Sequence, residues 1–412
     1  MDSTAVFAAA AVLRLALALA FPGLPDLLTG RVEVSVATNS FKRLQEGVFL
    51  YKNGLDPYDG GVFHQSPLFL ALFSLLPPWT SLVLYAALDL AIAHCLCKIA
   101  KSGAAYSSRL YTSPRKDRSW SPISVAAVYL FNPLTLMTCL ARPTTVFTTL
   151  FTLYAVSCAC DARPYRAAFS LAVASYISLH PLLLVPPVGL LCYDRAKKRP
   201  DAVVFGAKFA SLLTGTIMFL LLLSRCLLPS WTFLESVYLT SLTMPDLTPN
   251  PGLWWYFFIE MFDAFRNFFL GVFWLHMLSY SVPLTIRLKK QPLAAVILML
   301  GVIAVFQPYA NIADTGAWLS SLTLLGHVFE LSSAHRYTFP ALATLLYCMF
   351  LGPAFHHLWV YAGSGNANFF YAITLVWSLD LLVLLADAIY AVVRDEWEQQ
   401  RPECKGKESR QI

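Results

Sequence analysis

The chain has 412 residues, of which 57% are hydrophobic and only 13% are charged, and its net charge is +6. Soluble domains carry about 25% charged residues, so this composition excludes an ordinary soluble domain. The positive charge does not indicate nucleic-acid binding, because the Lys and Arg residues lie in short clusters between apolar segments and form no basic face that could follow phosphates.

Apolar segments long enough to cross about 30 Å of hydrocarbon as helices recur along the whole chain. The sequence therefore predicts an all-α fold, a polytopic transmembrane helical bundle of about twelve spans, with residues 1–412 in a single integral membrane domain. The segments lie near 4–21, 80–98, 123–140, 144–160, 167–180, 182–193, 203–228, 267–286, 292–307, 316–331, 338–360 and 369–393. Prolines interrupt the short segment near 182–193, so we expect a broken or re-entrant helix there.

The first segment, residues 5–23, resembles a secretory signal peptide in length and composition. It has no basic region before its apolar stretch, and Arg14 interrupts that stretch. Both features favour a helix that is retained in the mature protein. Cleavage as a signal peptide is the alternative.

The basic connections between the apolar segments predict the orientation of the chain. They include the loop 99–122 and the tail 394–412, and in a twelve-span arrangement all of them fall on one side. The positive-inside rule makes that side cytosolic, with both termini cytosolic. Four other connections then face the lumen, namely the large loop 22–66 and the connections 229–266, 307–316 and 361–370.

The large lumenal loop contains two informative stretches. In "SFKRLQEGVFLYKNG", residues 40–54, apolar residues at helical spacing predict a helix that lies flat on the membrane surface or packs on the bundle. In "GLDPYDGGVFHQSPL", residues 54–68, turn formers fix a compact loop that carries Tyr58 and His64. This loop is a candidate surface for a sugar or lipid head group. A purely structural loop, with His64 bonded to backbone, is the alternative.

The stretch "NPGLWWYFF", residues 250–258, combines a polar turn with five aromatic residues. Trp254 and Trp255 match the aromatic girdle expected at a bilayer interface. Flat rings beside amides and carboxylates also bind sugars and amines, so Asn250, Trp254 and Trp255 are candidate binding residues as well.

The stretch "YAGSGNANFF", residues 361–370, places two amides at the start of the last apolar segment. Asn366 or Asn368 is expected either to cap that helix or to bind a polar lipid head, because an unsatisfied amide entering a membrane is costly.

Motifs for metal binding, phosphate binding or nucleophilic catalysis do not occur in the sequence. We therefore expect no catalytic residue, no metal and no cofactor. The cysteines lack a CxxC pair and lie mostly in apolar segments, which is typical of buried small hydrophobic residues; Cys226 is among them. No predicted lumenal loop contains a cysteine, which argues against hydrolysis or transamidation by this chain itself.

Three stretches, "DPYDGGVFHQSPL", "PDLTPNPGLWWYFFIEMF" and "HLWVYAGSGNANFFYAITL", resemble the PIG-U family, the U subunits of the GPI transamidase complex. The resemblance implies a noncatalytic, multi-pass endoplasmic-reticulum membrane subunit that binds and presents the GPI lipid for attachment of GPI anchors to precursor proteins. Its implied partners are the catalytic cysteine-protease-like subunit, the lumenal and membrane accessory subunits, and the GPI lipid. We expect Asn366 and Asn368 to contact the lipid head region, with His64, Tyr58, Asn250, Trp254 and Trp255 shaping the site.

The same resemblance extends to GT-C-type multi-span glycosyltransferases, because "GLDPYDGGVFHQSPL" is similar to the first-loop pattern of the GPI mannosyltransferases. Those enzymes carry an acidic D-x-D motif where this chain has "VEV", which implies a transferase scaffold that lost its chemistry and kept a lipid-sugar groove. The alternative is an active dolichol-phosphate-mannose-dependent mannosyltransferase that uses Glu33 as its acid.

Overall fold

A computed structural model describes residues 3–197, 201–404 and 407. Within them the fold is helical, and a single antiparallel bridge, between Ser107 and Thr112, is its only β-type pairing. The helices are α1 Ser3–Ala20, α2 Leu24–Thr29, α3 Phe41–Lys52, α4 Pro67–Leu75, α5 Thr80–Lys101, α6 Pro122–Phe131, α7 Pro133–Ala141, α8 Thr145–Cys160, α9 Pro164–Ile177, α10 Val185–Arg195, α11 Ala202–Leu227, α12 Thr232–Leu234, α13 Thr240–Thr243, α14 Trp254–Glu260, α15 Asp263–Arg287, α16 Pro292–Phe306, α17 Ile312–Leu322, α18 Phe329–Ser333, α19 Thr338–Val360 and α20 Ala367–Gln400. Short 3-10 turns cover Lys116–Arg118, His180–Leu184, Thr323–Val328 and Pro402–Cys404, and Glu235–Leu239 forms a π turn.

Each of the twelve predicted apolar segments is helical in the described chain. Six helices, α1, α5, α11, α15, α19 and α20, are long and apolar enough to cross a membrane individually. The pair α6 and α7 would make a seventh span, bent by 56° where Pro133 starts a new helix capped by Asn132. The remaining segments are shorter or interrupted, and the expected break near 182–193 is the 3-10 turn that precedes α10.

Arg14 anchors the first helix in the bundle. Its Nε atom lies 2.8 Å from Oδ2 of Asp89 on α5, and its Nη1 donates to the Leu130 carbonyl at 2.9 Å. Tyr129 donates to the other Asp89 oxygen at 3.0 Å. Both ionic side chains are about 1% exposed. The polar residue that interrupts the first apolar segment is therefore part of the packed interior.

The four connections predicted to share one side meet at one end of the bundle, which we call the cavity end. Arg43 pairs with Asp246 at 2.8 Å and so joins the first of them, 22–66, to 229–266. The Ile312 amide donates to the Glu33 carbonyl at 3.0 Å. The Tyr371 hydroxyl, just beyond 361–370, donates to the Leu253 carbonyl at 3.0 Å.

The basic connections meet at the opposite end, which we call the basic end. Ser108 Oγ donates to the Lys290 carbonyl at 2.6 Å, and Arg195 Nη2 donates to the Ser102 carbonyl at 2.6 Å. Arg115 forms ion pairs with Asp395 and Glu398 near the end of α20. These contacts join four of the basic connections to one another, and the side of the membrane that each set of connections faces stays a prediction.

Two local predictions are refined by the packing. Helix α3 packs on the bundle, because Phe41 contacts the rings of Phe73 and Tyr85 edge-on and Leu44 is only 1% exposed. Cys226 is exposed, against the expectation of a buried cysteine, since most of the surface of α11 faces outward. The other seven described cysteines are buried as predicted, with the side chain of Cys404 not described.

Candidate functional site

A polar cavity of about 910 Å³, open on one side, lies at the cavity end between α8, α16, α17 and the turn His180–Leu184. Five of its lining residues are Thr144, Thr145, Thr148, Thr149 and Thr152. The last four recur at helical spacing, so α8 turns a row of hydroxyl groups to one face.

Asp314 is the acidic residue of this cavity, and its position is fixed by the start of α17. Asn311 caps that helix, with Oδ1 accepting from the amides of Ala313 and Asp314 at 2.9 and 3.2 Å. Oδ2 of Asp314 accepts from Asn311 Nδ2 at 2.7 Å and from Gln307 Nε2 at 2.5 Å. Burial raises the pKa of Asp314 to about 6, although these two side-chain bonds act in the opposite direction.

His64, one of the predicted site residues, lines the same cavity and is 5% exposed. Its Nδ1 lies 2.9 Å from the Ser236 carbonyl, so Nδ1 donates there and Nε2 is left as an acceptor. Nε2 is buried and has no hydrogen-bond partner within the described part of the chain. Burial lowers the pKa of His64 below its usual value, which keeps the ring neutral at pH 7.

His180 also lines the cavity and has a similar unpartnered nitrogen within the described chain. Its Nδ1 lies 2.9 Å from Ser178 Oγ, and its buried Nε2 is without a partner in the described residues. The ring stacks on Trp274 at 6.4 Å between centroids. The cavity therefore combines one carboxylate, two imidazole nitrogens without partners and a row of hydroxyl groups.

A second, apolar groove of about 610 Å³ lies between α2, α7, α19 and α20. Its walls are mainly aliphatic, sulfur-containing and aromatic, among them Leu28, Met137, Met349, Phe370, Ile373 and Trp377. Arg31 and Glu33 also line it, and they form a two-point ion pair with each other at 3.1 and 3.2 Å. The lining suits hydrocarbon rather than a polar group.

The polar cavity and the apolar groove share a wall. It is built from residues 33–39 and 309–314, which are joined by the backbone bond from Ile312 to Glu33. Val34 and Ile312 line the groove, whereas Asn39 and Asn311 line the polar cavity. A ligand with one polar and one apolar part would find matching surfaces on the two sides of this wall.

Tyr58, another predicted site residue, lies outside both cavities. Its hydroxyl donates to the Gln65 carbonyl at 2.7 Å, and its ring packs on Phe63. Tyr58 therefore stabilises the loop that carries His64. This is the structural role expected from the sequence as the alternative to ligand binding.

Asn250 and Trp254 are not among the described residues that line the polar cavity. Asn250 is fully buried and forms a turn in which its Oδ1 accepts from the Gly252 amide at 2.8 Å. Trp254, 1% exposed, donates from Nε1 to the Phe306 carbonyl at 2.8 Å, immediately before Gln307. A membrane-facing girdle would need exposed rings, so burial argues against that role for Trp254.

Trp255 and the two asparagines form a separate group beside the apolar groove. Trp255 is fully buried and stacks on Trp359 at 6.2 Å. Asn366 caps α20, with Oδ1 accepting from the Asn368 amide at 3.0 Å, and Asn368 accepts a hydrogen bond from Tyr256. Both asparagines are exposed, about one turn before Phe370 of the groove. These contacts show that Asn366 caps α20, which is one of the two roles expected from the sequence.

Glu33, the acid of the mannosyltransferase alternative, does not reach the polar cavity. It lines the apolar groove and is held by Arg31. Within the described residues, no group of three or more His, Cys, Asp or Glu side chains is arranged to hold a metal ion.

Comparison with known proteins gives a consistent result. A family profile described as GPI transamidase subunit PIG-U matches residues 8–377. The human GPI-anchor transamidase component PIGU is 34% identical over 396 residues, covering 91% of this chain and 90% of that protein. The GPI transamidase component GAB1 of Saccharomyces cerevisiae is 36% identical over 412 residues, covering 98% of both chains. A match of this extent and identity leaves no doubt about the family: the chain belongs to the PIG-U family of GPI transamidase subunits.

Proposed function

We propose that this protein is a noncatalytic membrane subunit of a GPI transamidase that binds and presents the GPI lipid. The glycan head would occupy the polar cavity, and the hydrocarbon chains would occupy the apolar groove. The observation that carries the proposal is the adjacency of these two cavities across one wall, in a chain of the PIG-U family. Asn366 and Asn368, exposed beside the groove, would contact the lipid where its head leaves the hydrocarbon.

The placement of the cysteines supports a noncatalytic role. None of the described cysteines lines the polar cavity, where the histidines are. Cys348 lines the apolar groove, but no histidine lines that groove with it. A cysteine nucleophile needs a neighbouring base such as histidine. We therefore assign the catalytic cysteine to another, cysteine-protease-like subunit of the complex.

The proposal also includes the setting of the protein. By the positive-inside rule, the basic end faces the cytosol together with both termini, and the cavity end faces the lumen of the endoplasmic reticulum. Helices α11, α15 and α19 expose most of their apolar surface, which is then available to lipid and to the membrane or lumenal accessory subunits. A groove that opens at the lumenal end would deliver the lipid head to a lumenal catalytic subunit.

Filling the apolar groove tests this function. Gly352 lines the groove, and a Cβ at this position would meet only Ile373 and Phe370, at 3.8 and 4.0 Å, which is ordinary contact. The Gly352→Leu variant should therefore fold, and its new side chain should fill part of the groove proposed for the hydrocarbon chains. Gly215→Leu is the matched control, because Gly215 lies on α11 with nothing within 4 Å of a built Cβ.

The measurement is the amount of GPI lipid that copurifies with the complex in mild detergent, together with anchor attachment in cells. We expect Gly352→Leu to reduce both severalfold and Gly215→Leu to leave both unchanged, with equal recovery of partner subunits. Lipid recovery at the wild-type level in Gly352→Leu would show that the groove does not hold the lipid.

A further inference from the structure

The polar cavity has an unusual charge balance. Asp314 is acidic, while neither Lys nor Arg is found among the described residues that line the cavity. Among the ion pairs of the described residues, none includes Asp314. Asp314 is half-buried, so its carboxylate loses part of its hydration without a cation to compensate, which makes it a suitable partner for a cationic ligand.

The hydrogen bonds of Asp314 leave one side of its carboxylate open. Gln307 and Asn311 both donate to Oδ2, and Oδ1 has no donor within the described part of the chain. The positive start of α17 offers little compensation, because Asn311 already accepts from the amides of Ala313 and Asp314. The Asp314 side chain is therefore held in place, and its Oδ1 atom remains available to accept a hydrogen bond.

Further hydrogen-bond acceptors line the same cavity. His64 is 95% buried, since only 5% of it is exposed, and its Nε2 has no partner in the described chain. The Nε2 of His180 also has no partner in the described chain and is an acceptor when Nδ1 donates to Ser178, and the hydroxyl groups of α8 can accept as well. A protonated primary amine has three N–H donors and one positive charge, which matches this set.

We propose that the polar cavity binds a protonated primary amine of the lipid head group, with Asp314 as its counter-ion. The inference names the chemistry recognised by the proposed lipid site and so rests on the proposed function. A transamidase transfers an acyl group to an amine, so a lipid that serves as acceptor must carry one. Asp314 holds the amine protonated and therefore non-nucleophilic, which makes it a binding residue and leaves activation to the catalytic subunit.

Two other ligands fit this cavity less well. A phosphate group would meet a carboxylate with no basic side chain in the described lining. A metal ion would need several ligating side chains together, and no such group is found in the described residues. The charge and the acceptors thus favour an organic ammonium.

The test compares lipid probes on the purified complex. The first probe is GPI lipid with free amines, and the second is the same lipid after N-acetylation, which removes the charge and keeps the glycan. We expect the first to bind about tenfold more tightly or better, the usual value of a charge-assisted contact.

The variant Asp314→Asn keeps the shape and the acceptor oxygen for Gln307 and Asn311, but removes the charge. We expect it to bind both probes with the affinity that the wild type has for the acetylated one. Asp263→Asn is the matched control, because Asp263 is an exposed acid in the first turn of α15. It should keep the wild-type preference.

The outcomes separate this inference from the proposed function. If wild-type complex binds both probes equally tightly, the amine site is wrong and the lipid site stands. If it binds neither probe, the proposed function itself fails. The wild-type comparison requires no variant, so it remains decisive even where Asp314→Asn does not assemble.

Discussion

At the basic end, Asp395 is fully buried and accepts hydrogen bonds from Tyr111, Ser113 and Arg115. At the cavity end, Asp314 is held by two neutral amides and has no cationic partner among the described residues. Paired buried charges cost little once formed but are expensive to break, whereas an unpaired one is a continuing cost. Ion pairs join segments at both ends, as Arg43 and Asp246 do at the cavity end, but Asp314 differs from Asp395 in that no cation of the described chain neutralises it, so a ligand can meet its charge.

The largest effect on stability is expected from the removal of Arg115 at the basic end. Arg115→Ala leaves the buried carboxylate of Asp395 without its cation, whereas Glu398 keeps its pair with Arg394. We expect a loss of about 3–5 kcal/mol in stability, the usual cost of stranding a buried charge, seen as a large drop in the thermal midpoint of the purified complex. Arg118→Ala is the control, because its pair with Glu330 is exposed and should contribute less than about 1 kcal/mol. Similar losses in the two variants would contradict the distinction.

The pH dependence of lipid binding tests the role of Asp314 at the cavity end. The pKa of Asp314 is raised to about 6 by burial, so the carboxylate is ionised above that pH and protonated below it. We expect the affinity for free-amine lipid to be full above about pH 7 and to fall below about pH 6 toward the roughly tenfold lower affinity expected of Asp314→Asn. The other titratable groups lining the cavity are His64, His180 and Tyr309. Protonation of His64 or His180 would add repulsion toward a bound ammonium and so act in the same direction. Asp314→Asn should show no loss near pH 6, and an identical profile in this variant would assign the dependence elsewhere.

Asn366 offers a smaller test, because it combines a demonstrated cap with a proposed lipid contact. Asn366→Ala should cost about 1 kcal/mol of stability through loss of the cap. Asn366→Ser should keep the cap and the stability, and lower lipid copurification less than Gly352→Leu does. Unchanged lipid recovery in the serine variant would leave Asn366 with a capping role alone.

The smallest expected effect is that of Asp314→Asn on the stability of the lipid-free complex. Because the pKa of Asp314 is raised in the folded protein, protonated Asp314 favours the folded state. This contribution to the stability is lost as pH rises through about 6. At pH 7.5 the variant should be as stable as the wild type or up to about 1 kcal/mol more stable, and the difference should shrink at pH 5. A clear destabilisation at pH 7.5 would indicate a structural role for the charge.

Sequence alone predicted the helices well, because apolar length and proline positions are local signals. All twelve apolar segments are helical, and the broken segment before α10 was expected. The contacts of Asn366 match the capping alternative, since an amide followed by an apolar run is a local pattern as well.

The candidate site was harder to predict from the sequence, because it depends on which distant segments meet in the fold. The sequence analysis did not single out Asp314 or the threonines of α8, although "TTVFTTLFT" at 144–152 is a visible row of hydroxyl groups at helical spacing. Trp254 and Trp255 matched an interface by composition, but both are enclosed by other aromatic side chains. Whether an aromatic run faces lipid or protein is decided by tertiary packing, which periodicity cannot reveal.

The ion pair between Arg14 and Asp89 also has a consequence for biosynthesis. The two residues are 75 positions apart, so α1 leaves the ribosome well before its partner helix α5 exists. During that interval α1 carries a lone arginine, which costs about 2.5–3.5 kcal/mol at the centre of a membrane helix. Stable insertion of the first helix therefore waits for α5, and truncated chains that end between them should be poorly retained in the bilayer.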